Sequence, residues 1–185
     1  MVLTKERIDK LEQTYQYYLH HEAILKMKDI PAHRGSNVYI HTFKVVKKVM
    51  KKAKKSRRNL DLENLLVASI FHDYYLYNWR ELKDRPHPHG KWHPFIAAEN
   101  AKKDFDISTE SIGMILTHMW PFNFFYPPHG KEARILCNVD TWIAFKECLT
   151  SKKHKIKKEK EYLNYVSTLF WIFNSQTVSS LTWRA

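Results

Sequence analysis

Residues 65–73 read Leu-Leu-Val-Ala-Ser-Ile-Phe-His-Asp. The first seven carry one hydroxyl and no charge, so a helix built from them is apolar on every side. Such a helix belongs inside a protein rather than on its surface. It begins near Leu62, where Asn59 or Asp61 supplies a capping oxygen, and the pattern continues to about residue 77. His72 and Asp73 therefore end the most apolar helix of the chain. A buried carboxylate is costly without a cation beside it, so the stretch poses a chemical question as well as a structural one.

Helical spacing extends on both sides. Ile8, Leu11, Tyr15, Tyr18, Leu19 and Ile24 recur through residues 4–27, and Pro31 ends that run. Residues 36–54 form the next helix, with Ser36 as its cap and Val38, His41, Val45 and Val49 along one stripe. Pro86, Pro88 and Gly90 mark a loop over 83–93. His93 and Pro94 then suit the cap and first position of a helix reaching Lys103. Ser108 caps a helix ending at Trp120-Pro121. Residues 122–130, aromatic and proline-rich, read as a packed loop, and helices follow over 131–149 and 159–174. The expected fold is all-α, a single compact bundle of about seven helices. Residues 1–30 give an N-terminal helix packing on the core, 31–149 the central domain, and 150–185 a helix and tail completing it.

Composition agrees. A chain of 185 residues suits one domain, and 44% hydrophobic with 14% aromatic residues is enough for a core and too much for disorder. Only 4 Gly and 7 Pro disfavour a loop-rich β fold. Cys137 and Cys148 fall in one helical pattern, which excludes a disulfide framework and fits a reducing compartment. No apolar run reaches the ~18–20 residues of a membrane span. The first residues lack the apolar core of a secretion signal. A cytoplasmic protein without a membrane partner is the expectation. Lys plus Arg total 31 against 19 Asp plus Glu, a net charge of +12 that attracts anions. The runs Lys44–Arg58 and Lys152–Lys158 carry much of it. Both read first as solvated helix faces, with nucleic acid a weaker partner reading.

The chain has 11 histidines, and their placement matters more than their number. His41 lies on the apolar stripe of its helix. Asp140 has Leu136 four residues before it and Ile143 three after it, so it shares their face. Each residue alone has an ordinary explanation: a hydrogen-bonded core histidine, a chance His-Asp pair, a buried cap. Together, two inward carboxylates and several inward imidazoles, with no obvious inward Lys or Arg, ask for a cation. Nitrogen and oxygen donors without cysteine suit Fe, Mn, Zn, Ni or Mg as divalent metal ions.

The ordered set resembles the HD-domain metal-dependent phosphohydrolase superfamily over roughly residues 30–147. That pattern is a His on one helix, an adjacent His-Asp on the next and a late Asp. Here these are His41, His72-Asp73 in Phe71-His-Asp-Tyr, and Asp140 in Asn138-Val-Asp-Thr. His93, in Lys91-Trp-His-Pro, and His118, in Leu116-Thr-His-Met-Trp-Pro, fall where binuclear members place ligands for a second metal. The wording of His33-Arg34-Gly35, His72 to Trp79 and His118 to Pro121 is similar to a group of bacterial HD proteins.

The resemblance implies that His41, His72, Asp73 and Asp140 hold one metal, that His93 and His118 hold a second, and that Asp73 bridges them. It implies hydrolysis of a small anionic phosphoester, a nucleotide or phosphorylated metabolite, by a metal-bound hydroxide. The Ile-Gly-Lys that often follows His-Asp in this superfamily is replaced by Tyr74-Tyr75-Leu76. Arg34, Arg80 and Lys91 are the candidate cations for the phosphate instead. His33 is a candidate acid/base with Arg34 beside it. His87 and His89 suggest a loop rim more exposed than functional, and His20, His21, His129 and His154 read as surface residues. Tyr74, Tyr75, Tyr77 and Trp79 read as packing residues. Two other functions fit the same residues: a di-iron HD-domain oxygenase, and a nucleic-acid-binding or nucleolytic HD protein.

Overall fold

The computed structural model describes residues 4–32, 36–56, 58–81, 88–149 and 172. Among them it is all-α, with no strand. The helices are α1 (Lys5–His20), α2 (Glu22–Leu25), α3 (Val38–Lys55), α4 (Leu62–Phe71), α5 (His89–Phe105), α6 (Thr109–Thr117) and α7 (Gly130–Leu149). A 3₁₀ turn, Lys26–Asp29, follows α2. The expected helix over 159–174 and tail, His33, Arg34 and His87 lie outside the described residues. Of the C-terminal region only Ile172 is described, buried, with its carbonyl taking Lys54 Nζ at 2.6 Å.

Helix α4 is the centre of the packing. Leu62, Leu65, Leu66, Ala68, Ile70 and Phe71 are buried against α1, α3, α6 and α7. Each buried Leu or Phe contributes roughly 1.5–3 kcal/mol through the hydrophobic effect. Asp61 caps α4 by accepting from Asn64 N at 3.1 Å, and Ser108 caps α6 through Ser111 N at 3.1 Å. Helix α3 lies between α4 and α7, which brings His41 to the inner face of both.

Several boundaries differ from expectation. The first helix is broken at His21, whose extended backbone starts α2 and whose Nδ1 accepts from Ala23 N at 3.2 Å. Asn37 rather than Ser36 caps α3, because its Oδ1 reaches Ile40 N at 2.8 Å. Helix α4 ends at Phe71, not near 77. His72 turns its Nδ1–H onto the Ser69 carbonyl at 2.9 Å, and Leu76 adopts a left-handed φ of 51°. Residues 72–81 are therefore a series of turns. Trp79 Nε1 and Arg80 Nη2 tie them to the carbonyls of Pro31 and Ala32, at 3.0 and 2.7 Å.

Helix α5 begins five residues early, at His89 rather than Pro94, with Pro94 inside it. Pro94 lies in the second turn, where its missing N–H forfeits the bond to the Gly90 carbonyl. Gly90 lets the Phe122 ring lie close: a Cβ there would be 2.9 Å from Phe122 Cε1 and would displace the ring. The 122–130 segment is not the packed loop expected. Asn123 is buried in it, whereas Phe122, Phe124, Phe125 and Tyr126 are exposed.

Candidate metal centre

Five elements deliver the donors. His41 comes from α3 and Asp140 from α7. His72 is the C-cap of α4 and His118 the C-cap of α6, while Asp73 follows in the turn and His93 lies one turn into α5. All four imidazoles are buried. Two helix C-termini thus abut the cluster, and their partial negative charge favours a cation.

Three imidazoles have their orientation fixed by the backbone. His72 Nδ1 meets the Ser69 carbonyl at 2.9 Å, His93 Nδ1 the His89 carbonyl at 3.1 Å, and His118 Nδ1 the Ile115 carbonyl at 2.6 Å. A carbonyl only accepts, so each Nδ1 carries the hydrogen and each neutral ring turns a bare Nε2 inward. The consequence is visible at two places. His93 Nε2 and His118 Nε2 face each other at 3.0 Å, lone pair against lone pair. His72 Nε2 is buried without a hydrogen-bond partner, 3.5 Å from Asp140 Oδ1. A positive centre between these nitrogens resolves both conflicts, and the donors present fit a divalent metal.

The donors separate into two groups, His41–His72–Asp140 and Asp73–His93–His118, with the ligating atoms of each within 4.8 Å of one another. Asp73 faces both. Its Oδ2 is 3.7 Å from His41 Nε2 and from His72 Nε2, and its Oδ1 is 3.2 Å from His93 Nε2 and 3.8 Å from His118 Nε2. Each group could hold a metal through two imidazoles and a carboxylate. The structure thus brings His41, His72, Asp73, His93, His118 and Asp140 together in two adjoining groups.

Electrostatics follow from the same contacts. Burial disfavours charge on Asp140, but the hydrogen bond from His41 and the adjacent His72 ring hold it well below the usual carboxylate range. Burial likewise opposes ionised Asp73, and His72, His93 and His41 outweigh it. His41 is pushed down by burial and more strongly up by Asp140 and Glu147, so it stays well above an ordinary imidazole. Metal-free, His41 carries a proton where a cation would sit. His118 goes the other way: burial, then its imidazole neighbours, lower it to about 4.

Glu147 was not among the expected site residues. It is buried, its Oε2 takes His41 Nδ1–H at 2.9 Å, and its Oε1 takes Lys44 Nζ at 2.8 Å. A carboxylate behind a ligating histidine fixes the ring and raises its basicity. Lys44 also corrects the expectation of no inward lysine. It neutralises Glu147 and leaves Asp73 and Asp140 for the metals. The signal was in the spacing: Glu147 follows Asp140 by two helical turns, and Lys44 follows His41 by three residues.

A cavity of about 380 Å³ reaches the cluster. Asp73, His93 and Asp140 line it together with Tyr75, Trp79, His89, Trp120 and Phe122. His89, expected to be solvent-exposed, is instead half-buried in this wall. Its ring stacks on Trp79 at 5.2 Å and on His93 at 4.8 Å, and its Nδ1 is 3.0 Å from the Tyr77 hydroxyl. Arg80 and Lys91 are exposed and do not line the cavity; Arg80 lies over Trp79 and bonds the Ala32 carbonyl.

The fold and cluster define the class: an all-α protein with two adjoining His/Asp groups suited to metal. No protein-family model, curated protein or solved structure matches the chain.

Proposed function

We propose that the protein is a metal-dependent phosphohydrolase of the HD-domain type, acting on a small phosphoester. The observation that carries this reading is Asp73, whose two oxygens face the two donor groups separately. A carboxylate so placed suits a pair of metals sharing one ligand. When bound, two divalent ions supply Lewis acidity toward a phosphoryl oxygen and lower the pKa of a water. Two carboxylates against two dications leave a positive centre, which suits a phosphoester dianion.

The chain's own residues do the rest. Glu147 holds His41 through Nδ1, and backbone carbonyls hold the other three rings, so the donors are oriented before metal arrives. Tyr75, Trp79 and Phe122 give the cavity an apolar wall that excludes water from the substrate body. His89 is the imidazole of that wall outside both donor groups, and its ring stacks on that of His93 at 4.8 Å. We assign it the proton for the leaving oxygen.

One observation favours a second reading. The described cavity wall contains no Lys or Arg, which suits a substrate of low charge and a di-iron oxygenase as well. Metal analysis of gently purified protein, followed by a phosphatase and nucleotidase screen with the metal found, tests the first reading. Phosphate release abolished in Asp73→Asn supports it. Iron with substrate-dependent O₂ uptake and no phosphate release replaces it with the second.

A further inference from the structure

We infer that the aromatic ridge over residues 120–126, with the first turn of α5, docks on an anionic lipid surface. Phe122 is 64% exposed, Phe124 72% and Phe125 88%, with Trp120, Tyr126 and Trp92 also open to solvent. Singly exposed aromatics are ordinary, but five within residues 120–126, with a sixth on the helix turn beside them, are not. Rings join the two segments, since Trp92 meets Phe95 at 5.6 Å and Phe95 meets Tyr126 at 5.1 Å, and Phe124 meets Phe125 at 5.9 Å within the ridge.

The display is built. Asn123, buried beneath the ridge, donates Nδ2–H to the Lys91 carbonyl at 3.0 Å. Its own N–H bonds the Met119 carbonyl at 3.0 Å, and Tyr126 N–H bonds the Asn123 carbonyl at 3.0 Å. The backbone is pinned to α5 while the rings on either side of Asn123 face outward.

Charge chooses the partner. Residues 118–131 contain no Asp or Glu, and exposed Lys91 and Lys131 flank the ridge, in a chain of net charge +12. Aromatic rings at headgroup depth with cations toward phosphates are the pattern of an interfacial binder. A two-fold contact with a second copy would set these cations against themselves. Successive bases of a nucleic acid need ring faces side by side, whereas Phe124 and Phe125 meet edge to face at 82°. Trp120, Pro121 and Phe122 also line the cavity, so docking would present its opening to the lipid.

The test is co-sedimentation of the full chain with phosphatidylcholine vesicles, with and without about 30% phosphatidylglycerol. Binding to the anionic vesicles and weak binding to the neutral ones is expected. Phe124→Ser with Phe125→Ser should lower partitioning at least about tenfold, and Phe125→Ser alone part of that, with unchanged circular dichroism. A Lys51→Gln, Lys52→Gln variant should retain most binding, since those lysines are not beside the ridge. Absence of vesicle binding, or binding that survives both ridge variants, overturns the inference. So does a concentration-dependent dimer, or single-stranded oligonucleotide binding, that the ridge variants abolish while vesicle binding persists.

Discussion

Replacing Glu147 with Gln should weaken metal binding without touching a ligand. The amide keeps the size of the carboxylate and loses its charge. In the native protein that charge receives His41 Nδ1–H at 2.9 Å and Lys44 Nζ at 2.8 Å. A hydrogen bond to a charged group contributes ~1.5–3 kcal/mol and a neutral one ~0.5–1.5, so His41 loses about 1 kcal/mol of support. Lys44 loses its anion, but its side chain is 15% exposed and keeps a route to water. Its cost therefore falls short of the ~3–5 kcal/mol of a fully buried broken pair. Metal affinity should fall about five- to tenfold, at the low end of what losing a carboxylate behind a ligating histidine costs because the amide still accepts the bond. Competition with a chromophoric chelator measures this for wild type, Glu147→Gln and Lys44→Met. Lys44→Met leaves the His41–Glu147 bond in place and should stay within about threefold of wild type. Equal affinity in Glu147→Gln and wild type would refute the reasoning, as would an equal loss in Lys44→Met.

Three further outcomes follow from the same geometry. Asp73→Ala should remove metal binding and activity together while helical circular dichroism persists, because Asp73 is the one donor facing both groups; full activity in this variant would place the site elsewhere. Metal affinity should rise with pH by about tenfold per unit below the raised His41 value, as the metal displaces its proton; a flat profile in a chelator competition would contradict that. His89→Gln should keep metal content and lower kcat about 10²-fold or more, with loss of the basic limb of its pH profile; an unchanged kcat removes the proton role assigned to it.

The helices, and His41, His72, Asp73 and Asp140 as inward polar residues, were legible because both depend on spacing, whereas His93 and His118 were expected only through the resemblance to HD domains. An apolar run such as Leu65–Phe71 has few places to go, and Asp61 and Ser108 state where a backbone needs a side-chain oxygen. His41 and Asp140 were found by the same rule, as polar residues on apolar stripes. Where spacing is silent, the reading went astray. Residues 72–81 continue an apolar pattern, but His72 bonds the Ser69 carbonyl and the helix stops. Lys44 disappeared into a lysine run because a stripe does not reveal a partner 103 residues away. His89 was masked by the flanking prolines, which suggest a loop although Pro94 fits inside α5.

The same limit explains the aromatic segment. Its composition says that rings must find apolar company, and a packed loop is the ordinary solution. Composition does not say which residue in the stretch turns inward. Here the buried one is Asn123, a polar residue with a carbonyl of α5 to meet, and that single bond decides the rest. Once Asn123 faces inward, Phe122 and Phe124 on either side are turned to solvent, and Phe122 closes over Gly90 beside the cavity. Asn123→Ala should therefore loosen the ridge and the cavity wall together. Hydrogen exchange in the first turn of α5 should rise along with that of residues 120–126, while the interior of α4 stays protected. Faster exchange confined to 120–126 would mean that the ridge and α5 are not joined through this side chain.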